Sequence, residues 1–283
     1  CTQRWDSPNY WVQVFDAKGV HKQTMEVEFP RKGIIHDLQI TDNYVVIFYA
    51  PTYHSVEKAM KGEDPFVWEG DLGTKIIAIP RDGRGRNIVF ETESFFSWHF
   101  CNGFESGGKI VIDYVWINSI PFSQAQGTGV EKQPRRMYRM TLDLATKQVT
   151  NEQFSDIFCE FSRVDERRMG KDYRLGYATC SNREWGDAHG YNGTGSFDFK
   201  SGETALWEYG EEANAGEPVH VPNPDSDREE DGWLMCYVYN PGEGPFRSIL
   251  SAGNVADGPV AKVHIPGRVP NGFHANWMQN LTL

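Results

Sequence analysis

The stretch MTLDLATKQ (140–148) carries the fold reading. An alternating, strand-like run ends at Asp143, a short turn follows, and a new strand starts. VQVFDAKGV (12–20) and SFDFKSGET (196–204) repeat the arrangement. An Asp in this place caps a turn by accepting backbone amides about two residues on, and a Gly, where present, takes the positive-φ position. Hairpins repeated at wide spacing are what the blades of a β-propeller look like in sequence. A β-sandwich built from the same hairpins is the alternative that pattern alone leaves open.

Working outward, strand-like runs cover residues 11–15, 44–49, 75–79, 109–118, 138–142, 175–178, 206–209, 234–239 and 263–265. Each is rich in β-branched and aromatic residues and is bounded by Gly, Asp, Asn or Pro. Residues 52–71 and 123–133 are polar and irregular. In a propeller such insertions build the cover over the face where substrate enters; plain surface loops are the equal alternative. No internal boundary is evident, so residues 1–283 are expected to form a single all-β domain.

Composition agrees. The 283 residues include 9 Trp, 12 Tyr and 17 Phe, with 28 Gly and 15 Pro for turns. The net charge of −11, with no basic cluster beyond Arg135-Arg136 and Arg167-Arg168, argues against a nucleic-acid partner. Five dispersed cysteines without a CxxC pair read as reduced thiols, hence a reducing compartment such as the cytoplasm. No run of about 18 apolar residues is present. Sequons at Asn192 and Asn280 carry little weight. The acidic stretch 225–231 lacks the spacing of a calcium loop and reads as a solvated turn.

Three histidines stand out. They are His36 in IIHDLQITDNY (34–44), His99 in FFSWHFCNGFE (95–105) and His274 in VPNGFHANW (269–277). Each sits where a strand-like run meets a turn, and no local spacing links them. Imidazoles gathered from distant strands are what a metal site in a β-rich fold would show, although a lone histidine is more often a surface or core residue. No Cys or carboxylate ligand pattern accompanies them, which disfavours a structural zinc site or a mononuclear hydrolase.

The contexts of these histidines resemble the carotenoid cleavage oxygenase family, which includes carotenoid and apocarotenoid oxygenases, the retinal pigment epithelium isomerase and lignostilbene dioxygenases. The matching blocks are His36-Asp37 with Ile40-Thr41 and Tyr44, Trp98-His99 with Asn102, Phe104 and Glu105, and Gly272-Phe273-His274 with Asn276-Trp277. Glu160-Phe161 and Glu217-Pro218 match between them, and the order is kept over nearly the whole chain. The resemblance implies a seven-bladed β-propeller, with one ferrous iron, Fe(2+), held by four histidines. His36, His99 and His274 would be three of them. Glu160 and Glu217 would sit behind the metal and accept hydrogen bonds from the histidine rings; surface salt bridges are their bland reading.

The resemblance also shows two departures. The family's first iron histidine, and one of its three glutamates, lie upstream of a region resembling residues 10–15. The chain is therefore expected to be a C-terminal fragment of a longer protein, an incomplete propeller inactive by itself, with residues 278–283 its C-terminus. His21 could be offered as a substitute ligand, but its surroundings do not match. His54, His189, His220 and His264 fit no block.

The implied reaction is oxidative scission of one C=C bond of a carotenoid or apocarotenoid by O2, giving two carbonyl products. Four neutral imidazoles would leave the iron open positions, and an apolar tunnel would place the bond. Phe95, Phe96, Trp98, Phe273 and Trp277 flank the histidines and are candidates for its lining, with core packing at least equally expected. Stilbenoid cleavage by the same site remains an alternative, because residues 61–68 and 73–83 look somewhat like the stilbenoid-cleaving and bacterial branches. Isomerisation is a minor option, and a non-catalytic binding propeller is the reading from a different class. The partners implied are an apolar conjugated small molecule and O2, with peripheral membrane contact open.

Overall fold

The structure, a computed structural model, describes residues 1–4, 6–63, 65–120, 134–182, 190–270 and 272–278. The loop 123–133, His189 and Asn280 lie outside these residues. The chain folds as a succession of antiparallel sheets. β1 (Thr2–Gln3), β2 (Tyr10–Phe15) and β3 (His21–Val27) form the first. β4 (Gln39–Ile40) and β5 (Tyr44–Tyr49) begin the second. An excursion follows, made of β6 (Thr52–His54), the short helix α1 (Val56–Met60) and β7 (Phe66–Trp68). β8 (Thr74–Pro80) and β9 (Ile88–Thr92) then complete the order β4-β5-β8-β9.

A continuous seven-stranded run from β10 to β16 divides at its long middle strand. β10 (Phe100–Ser106), β11 (Lys109–Ile117), β12 (Arg135–Asp143) and the first half of β13 (Val149–Val164) make one part, the third sheet. The second half of β13, with β14 (Leu175–Ser181), β15 (Gly193–Asp198) and β16 (Thr204–Glu208), forms the fourth. β13 runs for 16 residues, about three times an average strand, because it is two strands in one. Its start pairs with β12 and its end with β14, with register shifts in both pairings. In the last sheet β17 (Asn214–Ala215) and β18 (Val219–Val221) both lie along β19 (Trp233–Asn240), followed by β20 (Gly244–Ser251) and β21 (Pro259–His264).

The inner sheets bury both faces against their neighbours, which is how propeller blades stack, while the first and last sheets leave one face exposed. In β5, Ile47 faces a core with Val12 and Val27 of the first sheet, while Val46 faces one with Ile112 and Met140 of the third. Val115 and Met137 pack on Ala178 and Phe197; Tyr177 packs on Leu234, Val238 and Phe246. Central strands such as β14 are buried at every residue, so period-2 polarity is lost there. The inner strands touch in turn, β4 on β10, β10 on β13 and β13 on β18. Gly103 of β10 permits one such approach: a Cβ there would lie 2.5 Å from Gln39 Cγ of β4.

The three turns that opened the reading share one device. Asp16 Oδ1 accepts the amides of Lys18 and Val20, both at 2.9 Å. Asp143 Oδ1 accepts those of Ala145 at 3.0 Å and Thr146 at 2.8 Å. Asp198 Oδ1 accepts those of Lys200 at 3.0 Å and Ser201 at 3.1 Å. Gly19 and Gly202 take positive φ in the first and third turns; in the second, Lys147 does so at 62°.

Some expectations are corrected. Residues 52–71 are not an irregular loop. They hold a hairpin of three-residue strands and α1, whose first turn is capped by Ser55 Oγ accepting from the Lys58 amide at 3.3 Å; elements this short are too brief for alternation to show. The stretch 225–231 is not merely a solvated turn. The Glu229 carboxylate accepts the backbone amides of Arg174 and Leu175, and Arg167 and Arg168 donate to the carbonyls of Ser226 and Asp227. All five cysteines are free thiols, four of them buried and Cys1 exposed. Among the described residues no helix is long and apolar enough to cross a membrane.

Candidate metal centre

His36 stands just before β4, His99 immediately before β10, and His274 in the segment after β21. His36 and His99 are brought in by the inner strands β4 and β10, and His274 by the irregular segment that follows β21. One ring nitrogen from each lies within 4.8 Å of the others, so this is a group that could hold a metal ion. His99 Nε2 and His274 Nε2 face each other at 3.2 Å. The rings of His99 and His274 are near-perpendicular, as are those of His36 and His99.

Two carboxylates stand behind these rings. His99 Nδ1 donates to Glu160 Oε2 at 2.5 Å, and His274 Nδ1 donates to Glu217 Oε1 at 3.1 Å. An ionised carboxylate only accepts, so each Nδ1 carries a hydrogen, and in the neutral ring Nε2 holds the lone pair. Glu160 and Glu217 are buried, so the surface salt-bridge reading fails for both. Burial pulls the His99 imidazole down, but the hydrogen bond and charge of Glu160 outweigh it, and the pKa of His99 is raised. His36 is held low, by burial first and then by the nearness of His99. Among the described residues no carboxylate hydrogen-bonds the His36 ring.

The backbone is shaped to hold these acids. Phe161 has φ +52°, unusual for a bulky residue, at the register shift in β13. That turn aims its amide at Glu160 Oε2, 2.6 Å away, and stacks its ring on His99 with centroids 4.9 Å apart. Glu217 Oε2 accepts the Ala275 amide at 2.6 Å, which fixes the residue after His274. Arg163 Nη1 donates to Glu217 Oε1 at 3.3 Å and to the Ala275 carbonyl at 3.2 Å.

The histidines separate two cavities. One, of about 490 Å³, is walled by Trp98, Phe161 and Phe273, with Arg135 at its edge. The other, of about 540 Å³, has a mixed lining in which Asp37, Arg163, Glu166 and Asn276 stand beside Phe100, Val164 and Met169.

The family model described as RPE65, retinal pigment epithelial membrane protein, matches residues 3–279. The chain belongs to the carotenoid cleavage oxygenase family. Its relatives in that family are named as oxygenases. Apocarotenoid-15,15'-oxygenase of Synechocystis sp. is 29% identical over 276 residues, covering 93% of this chain and 56% of the relative. Isoeugenol monooxygenase of Pseudomonas nitroreducens is 28% identical over 289 residues, covering 96% and 60%. The structure of a cobalt-substituted Synechocystis ACO superposes with a TM-score of 0.89 at 26% identity, covering 96% of this chain and 58% of that one. The chain thus spans a little over half the length of these carotenoid cleavage oxygenase relatives.

Of the aromatic candidates, Trp98 and Phe273 line the apolar cavity. Phe95 and Phe96 are instead buried core residues, and Trp277 lies against a separate small cavity beside Glu217. Phe161 was legible only as the neighbour of Glu160; Arg135 and Arg163 carried no signal beyond their charge. The remaining described histidines stay out of the cluster. His21 Nε2 pairs with Thr24 Oγ1 at 2.8 Å, His220 is buried in β18, and His264 is exposed on β21. His54 is not in a polar loop but half-buried in β6, edge-on to Phe66.

Proposed function

We propose that His36, His99 and His274 hold a ferrous ion, and that the whole protein uses O2 to split a C=C bond of a conjugated, apolar substrate into two carbonyl products. The observation that carries this reading is the convergence of one ring nitrogen from each of three histidines, two of whose rings, those of His99 and His274, are backed by buried carboxylates. Two lone pairs 3.2 Å apart repel unless a cation or proton lies between them. Neutral imidazoles suit a divalent first-row metal, and carboxylates behind them fix tautomer and ring direction. The donor set therefore fits the iron that the family implies.

Ferrous iron held by neutral imidazoles would supply O2 activation beside the alkene. Glu160 and Glu217 hold the Nδ1 hydrogens of His99 and His274, so Nε2 is the atom each of these rings would offer to the metal. Trp98, Phe161 and Phe273 offer an apolar wall on which a planar conjugated chain can stack. Because three histidines are present where the resemblance implies four, we assign the activity to the whole protein and expect the 283 residues alone to be inactive. The substrate is taken as a carotenoid-type polyene or an arylalkene, since relatives named for both stand at similar identity.

The test is metal content and O2-dependent carbonyl formation by the full-length protein, from an apocarotenoid and from a stilbene, each compared with His99→Ala. Roughly one iron per chain, lost together with turnover in the variant, is the expected result. Iron content unchanged by the substitution would make the histidines structural and leave a binding propeller.

A further inference from the structure

This inference rests on the metal reading above and adds a moving part to it. His274 is held differently from the other two histidines. His36 and His99 stand just before β4 and β10, whereas the last strand, β21, ends at His264. His274 lies beyond it, in chain that forms no strand or helix among the described residues. Its side chain is 52% exposed, against 13% for His99. Phe273, Trp277 and Met278 beside it are exposed as well. Little apolar burial therefore holds this segment down.

Its hydrogen bonds gather at one point. Glu217 accepts the His274 ring through Oε1 and the Ala275 amide through Oε2. Arg163 donates to the Ala275 carbonyl and, at 3.5 Å, to Asn276 Oδ1. These ties all fall on residues 274–276. There His274 Nε2 also faces His99 Nε2 at 3.2 Å. Between neutral rings that pair repels, and a cation shared by the two nitrogens turns it into an attraction.

The same segment walls both cavities. Phe273 lines the apolar one, and Ala275 and Asn276 line the mixed one. An apolar ligand meets Phe273 in this place only while the segment is seated. We propose that residues 272–277 are a clasp locked by the metal at His274. Seating the clasp completes the apolar cavity, so metal and apolar ligand bind cooperatively.

The experiment uses the full-length protein, metal-free and loaded with Co2+, a dication that suits imidazole donors. Hydrogen exchange is read on peptides covering residues 272–278 and, as a control, on the exposed edge strand β21. Because seating and metal binding form one equilibrium, exchange in the segment slows by mass action, up to about 100-fold at 100 times the Kd. β21 stays unchanged, and His274→Ala abolishes the response. Affinity for trans-stilbene, followed by tryptophan quenching, rises with Co2+ by about fivefold or more, and bound stilbene raises Co2+ affinity by the same factor. Phe273→Ala, a change at an exposed side chain, keeps the metal-dependent protection and loses the coupling to stilbene. Exchange in residues 272–278 that is equal with and without bound Co2+, a slowing shared by β21, a stilbene affinity indifferent to Co2+, or coupling that survives in Phe273→Ala overturns the inference. A protein that takes up no Co2+ removes the metal reading and the clasp with it. If protection and coupling appear but the iron-loaded protein cleaves neither an apocarotenoid nor a stilbene, the clasp stands and the oxygenase reading fails.

Discussion

The Asp37 carboxylate accepts the Phe100 backbone amide at 3.0 Å, and with its other oxygen the Leu38 amide at 2.7 Å. His36 precedes the one residue and His99 precedes the other, so a single acid sets the distance between two histidine-bearing segments. A second clamp lies just outside it. Glu105 accepts from Thr41 Oγ1 and the Asn43 amide at 2.6 Å, and from Asn43 Nδ2 at 2.8 Å. The residues flanking the histidines in the motif blocks therefore work as ties between sheets. Asp37→Asn places an N–H₂ where one of two amide donors now points. A loss of about 1–3 kcal/mol is expected, the cost of a buried donor left unpaired. Chemical denaturation with and without metal measures it. The loss should be accompanied by weaker metal retention, because the two histidine segments lose their common tie.

Glu160→Gln is expected to weaken metal affinity by about 10–100-fold, as loss of a carboxylate behind a ligating imidazole does. The pH dependence has a definite sign. Glu160 raises the His99 pKa, and metal binding at Nε2 requires that ring to be neutral. Apparent affinity in the wild type should therefore fall as pH drops below the raised value, by about tenfold per unit. In Glu160→Gln the fall should begin at lower pH, although affinity at neutral pH is weaker throughout. Metal titrations across the acid range, with both proteins at matched ionic strength, read both effects.

Arg163 ties Glu217 to the carbonyl of Ala275, and its Nη2 also donates to Glu166 at 2.7 Å. Arg163→Met should leave Glu217 buried without its cation and free the segment bearing His274. The expected result is loss of metal affinity comparable to that of Glu160→Gln, with partial recovery in Arg163→Lys. Equilibrium metal binding on the two variants distinguishes positioning from simple loss of charge.

His220 offers a stability test away from the centre. Its ring is buried in β18, stacks on Tyr177 and contacts the Glu229 carbonyl through Nε2 at 3.1 Å. Burial holds its pKa low, against the opposing pull of Asp165. The folded state then binds fewer protons than the unfolded one. This contribution to stability is whole above the free value of about 6.5 and is lost as pH falls from there towards the lowered value. The slope is at most about 1.4 kcal/mol per pH unit. Urea unfolding at pH 7.5 and 5.5 should show the drop, and His220→Gln should flatten it.

Most of the fold and the centre of the site were legible because they are local in sequence. Asp143, Asp16 and Asp198 announce their turns by themselves, and all nine strand-like runs fall on strands. Other strands, β9 and β20 among them, lay outside those runs, and β10 was missed because Asn102 and Gly103 interrupt its pattern, both residues being there for contacts with other parts of the chain. Asn102 Nδ2 donates to the Arg168 carbonyl at 3.0 Å, and Gly103 gives Gln39 room. The three histidines were legible through their flanking blocks. Arg163 was not, because its role comes from chain segments more than 50 residues away, Glu217 and Ala275. Phe95 and Trp98 illustrate the same limit: both flank His99, and only the packing decides that one is core and the other cavity wall.

Lys147 is the odd member of the three opening turns. It takes φ 62°, where Gly202 holds 83° at the matching place four residues after its Asp. The backbone bonds are otherwise alike: the amide of Lys147 donates to the Asp143 carbonyl and that of Gly202 to the Asp198 carbonyl, each at 2.8 Å. A side chain in the left-handed region costs about 1–2 kcal/mol. A glycine there costs about 0.5–1 kcal/mol more unfolded-state entropy. The difference favours glycine, so Lys147→Gly should stabilise the protein by up to about 1 kcal/mol, a rise of a few degrees in Tm for a chain of this size. Gly202→Ala should do the reverse by a similar amount. Thermal unfolding of the two variants against wild type is the measurement. A loss of stability in Lys147→Gly would mean that contacts of the lysine side chain, and not the Asp-capped turn, hold this hairpin together.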